Sequence, residues 1–239
     1  MIDINCWEKK IEHCFYSARL LKKLYTLNEQ AQYKIDFLEV RKAIYYAKKY
    51  HGKQKRQSGE PYYSHPLEVA YRVADYCFKT DILVTSILHD TIEDTKLTGK
   101  MLGYIFNSTI ATQVEALTRI KIDGKISAAE TVKLLWHQNN RDLLLIKTFD
   151  RLHNMQTIQA KSSDKIEKTT SETIEIFLIL VAYLEMSKVE AELKTLCCNN
   201  SKPLPIQHEF VYEGNMRLPF LTVQSEINRR QNQSLMVRK

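Results

Sequence analysis

Four residues able to ligate a metal stand at three separated places in the chain: His65, the adjacent pair His89-Asp90, and Asp150. Two imidazoles with two carboxylates make a mixed nitrogen–oxygen set, which suits Mn, Fe or Zn better than Ca or Mg. So small a set of protein ligands leaves coordination positions open for water and a phosphate oxygen. A catalytic centre needs that openness and a structural one lacks it. Water held in such a position becomes acidic enough to supply a hydroxide-like nucleophile near neutral pH. Taken singly, each residue has a plainer account: His65 before Pro66 could cap a helix, and Asp150 could sit in a buried ion pair. Taken together, on otherwise apolar segments, they favour a metal.

Further polar residues cluster around these four. Glu93 and Asp94 follow His89-Asp90 by three or four residues, and one of them can serve as general base or acid if neighbouring carboxylates raise its pKa. A solvated acidic turn before Thr95 is the simpler reading. Asp150, Asn154 and Thr157 fall on one face of a helix, which places a ligand, an amide and a hydroxyl on one stripe. A polar loop carries Lys53, Lys55 and Arg56 ahead of Ser58-Gly59, and such a loop can hold an anion or stack a guanidinium on a base. Basic loops are also common with no ligand at all.

The elements that must position these groups read as helices. The chain has 239 residues, 44% of them hydrophobic, with only six Gly and five Pro. That is enough apolar material for a core and too little Gly and Pro for a loop-rich or β-sandwich protein, so an all-α domain is expected. Periodicity predicts helices over residues 7–24, 35–50 (closed by Gly52), 66–78, 98–106, 109–117, 127–138, 141–160, 171–185 and 187–196. Residues 82–88 form a short, nearly all-apolar run capped by Asp81 and ending in His89-Asp90, which means burial at the centre of the domain. Residues 121–125, with Asp123-Gly124, read as a turn. The expected organisation is an N-terminal helical extension over 1–33, a main domain over 34–198, and a C-terminal tail over 199–239. Phe210–Tyr212 and Leu218–Val223 are compatible with a small hairpin in that tail, and disorder is the alternative.

The formal net charge of +7 suits an anionic partner, although a solvated Lys-rich surface would produce it too. Nucleic acid is disfavoured, since no aromatic or helix-turn-helix signature accompanies the charge. The five cysteines are odd in number with no C-x-x-C pair, which favours a reducing compartment. With no apolar run near ~18 residues, a cytoplasmic protein without a membrane span is expected.

Three ordered motifs then resemble one family. Arg56-Gln-Ser-Gly-Glu-Pro-Tyr-Tyr-Ser-His65-Pro, Leu88-His-Asp-Thr-Ile-Glu-Asp-Thr95 and Asp150-Arg-Leu-His-Asn-Met-Gln-Thr157 resemble the hydrolase domain of the RelA/SpoT (Rel) alarmone enzymes, as does Ser171-Glu-Thr-Ile-Glu-Ile176. The resemblance runs over about residues 35–196. It implies an all-helical HD-domain bundle that uses Mn²⁺ to remove the 3′-pyrophosphate from guanosine tetra- and pentaphosphate, (p)ppGpp, giving GDP or GTP. By resemblance His65, His89, Asp90 and Asp150 would bind the metal, and Glu93 and Asp94 match the catalytic acidic pair. Arg56 matches an arginine packed on the guanine, Ser58 and Thr157 match residues of the base pocket, and Asn154 matches an asparagine near ribose and phosphates. Arg119 matches a phosphate contact less closely.

The pattern also departs from the family. Gln57 stands where lysine is common, Gln156 replaces an arginine, and Tyr183-Leu-Glu-Met replaces a His-Arg-Leu-Gly segment. A synthetase domain has no room in these 239 residues, so the resemblance implies a hydrolase-only or truncated member. Two other readings stay open: HD hydrolysis of a different nucleotide, and a non-catalytic remnant that binds alarmone or a protein.

Overall fold

A computed structural model describes residues 14–121 and 124–200, which fall within one compact unit. Among them the secondary structure is helical apart from one hairpin of two-residue strands and an isolated bridge between Lys55 and Pro61, so the all-α expectation holds. The expected tail hairpin over 210–223 lies outside the described residues, as do residues 7–13 of the first expected helix.

Helix α1 (Phe15–Gln30) buries Leu20, Leu21 and Leu24 in the common core. It packs on α3 (Ser64–Val73), where Arg19 reaches Glu68 at 2.7 Å, and Lys23 reaches Asp75, just past the end of that helix, at 2.6 Å. The described part of the segment read as an extension therefore shares the core of the main domain. Helix α2 (Phe37–His51) starts where the Asp36 carboxylate accepts from the Leu38 and Glu39 amides, and stops at Gly52 with φ +52°. The stop is the one the sequence suggests, whereas the Asp36 cap sets the start two residues later than periodicity places it.

Helix α3 begins two residues earlier than periodicity predicts. His65 and Pro66 therefore both sit in its first turn, where proline loses no helical hydrogen bond. Helix α4 (Thr80–Leu88) buries every residue from Ile82 to Leu88 and packs against α2, α3, α7 (Ser108–Leu117) and α9 (Arg141–Gln156). Asp81 does not cap α4, as had been expected. It lies inside the first turn and accepts from Gln113 of α7 at 3.1 Å, and the Gln113 carbonyl is itself taken by Thr85 at 2.6 Å. A tertiary partner has won over a local one.

One short turn of helix, α5 (Thr91–Asp94), follows His89-Asp90 directly. Helices α6 (Gly99–Ile105) and α7 are capped by Thr98 and Asn107. The predicted turn is a hairpin in which β1 (Ile120–Lys121) pairs with β2 (Gly124–Lys125). A Ser127–Glu130 capping box opens α8 (Ala128–His137).

The single helix expected over 141–160 ends at Gln156, and a 3₁₀ turn (Ile158–Ala160) follows. Next comes a helix that periodicity misses, α10 (Ser163–Glu172), whose one buried residue is Thr170. With no apolar stripe, a helix leaves no 3.6-residue signal. A π-helical turn (Thr173–Phe177) leads into α11 (Leu178–Tyr183), and α12 (Ser187–Asn200) closes the described chain. No helix among the described residues is long and apolar enough to cross a membrane. The described cysteines, Cys14, Cys77, Cys197 and Cys198, form no disulfide.

Candidate metal centre and anion cleft

Three helices bring the four expected ligands to one point. The first turn of α3 supplies His65, the end of α4 supplies His89 and Asp90, and the middle of α9 supplies Asp150. His65, His89 and Asp150 each offer a ligand atom, and those atoms all lie within 4.8 Å of one another. Asp90 completes the set, with Oδ1 2.9 Å from His89 Nε2 and Oδ2 3.3 Å from His65 Nε2. His65 Nε2 is 3.2 Å from Asp150 Oδ1. Both imidazoles are buried, at 2% and 3% exposure, so their polar atoms need partners.

The donor chemistry fits a cation at this point. His89 Nδ1 lies 2.8 Å from the Ser86 carbonyl, which can only accept, so Nδ1 carries the proton. That leaves Nε2 as a lone pair directed at the cluster, buried and without a hydrogen-bond donor. Asp90 Oδ1 is close to it but out of line for a hydrogen bond. Burial pushes the His89 imidazole down, yet the charges of Asp90 and Asp150 outweigh it and raise the group to about 10. The same carboxylates attract a metal ion, so proton and metal compete for this nitrogen. Burial pushes the carboxyls of Asp90 and Asp150 up as well. Neighbouring His89 outweighs it for Asp90, and Lys147 for Asp150, so both lie below the usual carboxylate range.

Two residues missed by sequence reasoning support the cluster from behind. His153 Nδ1 sits 2.8 Å from His65 Nδ1, so one of the two carries the shared proton. Burial, with His65 nearby, pushes His153 down to about 3, so it is a neutral ring. Accepting from His65 Nδ1–H would leave His65 Nε2 free as a ligand atom. Lys147, buried on α9, donates to Asp150 Oδ2 at 2.8 Å. Both had a visible signal, since His153 and Lys147 are three residues either side of Asp150 and so lie on its helix face.

The cluster forms the floor of a cleft of about 560 Å³. Arg56 spans the cleft to the far helix, with one Nη2 donating to Asn154 Oδ1 and to Thr157 Oγ1, both at 3.1 Å. Asn154 in turn donates to Asp150 Oδ1 at 2.6 Å. The loop arginine and the α9 stripe, read separately in the sequence, thus form one unit joined to the metal cluster. Ser58 and Gln57 line the same cleft from exposed loop positions. Sequence reading missed Lys125, Lys161, Lys165 and Lys168, which also line it and make its walls strongly basic.

The acidic pair separates into two electrostatic roles. Glu93 is only 10% exposed and is clamped by Arg119 Nη2 at 2.6 Å and Lys125 Nζ at 2.8 Å. Burial pushes its carboxyl up, but these two cations outweigh that and hold it below the usual range. Asp94 is more open to solvent, yet packing around its carboxyl raises it above the usual range. The charges of Asp90 and Glu93 add to the rise, against a hydrogen bond from Tyr62. Arg119, read as a phosphate contact, therefore lies in the cleft with its guanidinium on Glu93.

The chain belongs to the HD-domain family, whose model matches residues 43–184. Within that family its resemblance is to the RelA/SpoT proteins. It is 37% identical to the GTP pyrophosphokinase rsh of Brucella ovis over 192 residues, covering 77% of this chain and 26% of that protein. It is 36% identical to the guanosine-3′,5′-bis(diphosphate) 3′-pyrophosphohydrolase of Aquifex aeolicus over 159 residues, covering 65% of this chain and 23% of that protein. The chain thus spans about a quarter of the length of these curated relatives. A solved structure of a metazoan ortholog of SpoT that hydrolyses ppGpp superposes with a TM-score of 0.56 at 19% identity, covering 72% of this chain and 99% of that one. At that identity the likeness concerns the fold.

Proposed function

We propose that this protein is a metal-dependent pyrophosphohydrolase that removes the 3′-pyrophosphate of (p)ppGpp, releasing GDP or GTP, with Mn²⁺ as its metal. The observation that carries the reading is the joining of a His/Asp cluster, through Asp150 and Asn154, to Arg56 and Thr157 in one basic cleft. A generic phosphohydrolase needs the cluster alone. A nucleotide enzyme also needs a group to hold the base and cations for the phosphates.

In this reading His65, His89, Asp90 and Asp150 would hold the metal. A bound divalent ion supplies Lewis acidity and an acidic water. Arg56 stacks on the guanine and is steadied by Asn154 and Thr157, while Ser58 closes the base side. Asn154 orients the ribose end, and Arg119 with the cleft lysines neutralises the phosphates. Glu93, held ionised by Arg119 and Lys125, accepts a proton from the attacking water. Asp94, whose raised pKa keeps a proton within reach, donates one toward the leaving ribose oxygen. The partner is a small nucleotide, and the place of action is the cytoplasm.

The test is the purified chain with ppGpp, with and without Mn²⁺, resolving GDP from other products. Release of GDP and pyrophosphate only with metal is expected. Metal-replete protein that leaves ppGpp intact would overturn the reading.

A further inference from the structure

Asp94 ends a helix of four residues, α5, which is too short to hold its own geometry. Its position comes instead from the segment between α2 and α3, forty residues earlier. The Gln54 side-chain amide donates to the Asp94 main-chain carbonyl at 2.9 Å, and the Tyr62 hydroxyl donates to Asp94 Oδ2 at 2.6 Å. Gln54 and Tyr62 are themselves tied together by His51. His51 Nδ1 lies 2.9 Å from Gln54 Oε1, and the His51 ring stacks on the Tyr62 ring at 4.8 Å between centroids and 21° between planes. Main chain and side chain of Asp94 are thus both gripped by one closed circuit of three residues.

The proton positions in this circuit follow from the partners. The Gln54 amide nitrogen is spent on a carbonyl, so its Oε1 accepts and His51 Nδ1 must donate. His51 Nε2 is buried with no hydrogen-bond partner among the described residues, so a proton there would be buried unpaired. The ring therefore stays neutral and acts as a stacking platform. The Tyr62 hydroxyl stays a donor, since burial together with the charge of Asp90 and the bond to Asp94 raises it far above its ordinary range.

We propose that Tyr62, seated on His51, is a positioning residue that occupies Asp94 Oδ2 and so reserves Oδ1 for proton transfer in the cleft. This rests on the acid role given to Asp94 above. An accepted hydrogen bond at Oδ2 favours the proton on Oδ1, the only carboxyl oxygen left to hold it. Without Tyr62 the carboxyl would be free to rotate, and the carboxylate formed as Asp94 gives up its proton would lose a charge-assisted hydrogen bond. The groups that set the Asp94 titration are Tyr62 and His51 from this circuit and Asp90 and Glu93 from its own segment.

Tyr62→Phe keeps the ring on His51 and removes only the donor. For Mn²⁺-loaded protein with ppGpp, kcat should fall by roughly 10-fold or more, the size of one charge-assisted hydrogen bond. KM should stay within about 2-fold, because nothing holding the nucleotide is touched. The Asp94 carboxyl, followed by NMR of ¹³C-labelled aspartate, should titrate at higher pH than in wild type, since a bond to its ionised form is lost. Unchanged kcat with unchanged titration would make Tyr62 a spectator, and a raised KM at constant kcat would make it a substrate contact instead. Either result overturns the proposal. The titration does not depend on substrate, so it still reads out if wild type leaves ppGpp intact and the functional reading fails. Far-UV circular dichroism and metal content matching wild type confirm that the variant is folded and loaded.

Discussion

On the floor of the cleft each ionisable side chain meets a partner of opposite charge or a neutral acceptor: His65 with Asp150, His89 with Asp90, Asp150 with Lys147, and His65 with His153. On the rim, Lys55, Lys165 and Lys168 stand exposed in water, while the hairpin's Lys125 is paired with Glu93 at 2.8 Å. The floor is built from α3, α4 and α9, which belong to the apolar core, and the rim from a polar loop, a hairpin and α10. The difference follows from desolvation. A buried charge without a partner costs several kcal/mol, so floor groups come in reciprocal sets that set one another's protonation. Exposed rim charges need no partner, contribute little to stability, and stay free to meet an anion.

If floor and rim divide the labour in this way, their substitutions should separate by kind of effect as well as size. The largest belongs to the floor. His89→Ala or Asp90→Ala should remove detectable hydrolysis and lower bound metal together, measured by turnover of ppGpp and elemental analysis. Full activity with stoichiometric metal in either variant would dissolve the cluster assignment. Circular dichroism is needed beside it, since metal binding also supports folding.

Between floor and rim lies Glu93. Glu93→Gln keeps the size and the bound metal but removes the carboxylate that Arg119 and Lys125 hold ionised. A loss in kcat of something like 10²–10⁴-fold is expected for a general base. Turnover at the wild-type rate would make this ion cluster purely structural.

A rim change should act on binding. Arg56→Ala removes a cation worth about 0.5–2 kcal/mol when stacked on a ring, so KM should rise by roughly 2- to 30-fold with kcat little altered. An adenosine analogue with the same phosphates sharpens the test. Equal hydrolysis of both nucleotides, unaffected by Arg56→Ala, would point to a general HD phosphohydrolase.

The smallest expected effect is on stability. The Asp94 carboxyl is raised in the folded chain, so folding binds its proton more tightly than the unfolded chain does. The stability this lends is complete at acid pH. It fades as pH rises from the ordinary carboxylate range through the raised value, leaving a net cost at neutral pH. Asp94→Asn can still accept from Tyr62 and carries no charge. Its Tm at neutral pH should be slightly above that of wild type while hydrolysis falls. A lower Tm would mean that the ionised carboxyl is a favourable partner where it sits.

Much of this protein was legible in the sequence, because the relevant physics is local. The helical class follows from composition, the stop of α2 from Gly52, and the burial of α4 from its unbroken apolar run. The ligands could be chosen because two His and two Asp on apolar helices have few other uses. Helix α10 was not legible, since Ile166 alone makes no apolar stripe to read. Nor was the displacement of Asp81 from its cap, which depends on Gln113, 32 residues away.

Within the site, residue types were readable and protonation states were not. Glu93 and Asp94 are adjacent carboxylates with the same local sequence around them. One is held ionised by Arg119, 26 residues on, and the other is raised by burial, against the hydrogen bond it accepts from Tyr62, 32 residues back. The bridge from Arg56 to Thr157 spans 101 residues of chain. A pKa is set by whichever charges and dipoles lie within a few ångströms of a group. The sequence alone therefore determined which side chains could do chemistry here. Tertiary packing decided their partners, and with them which carboxyl is pushed below the usual range and which above it.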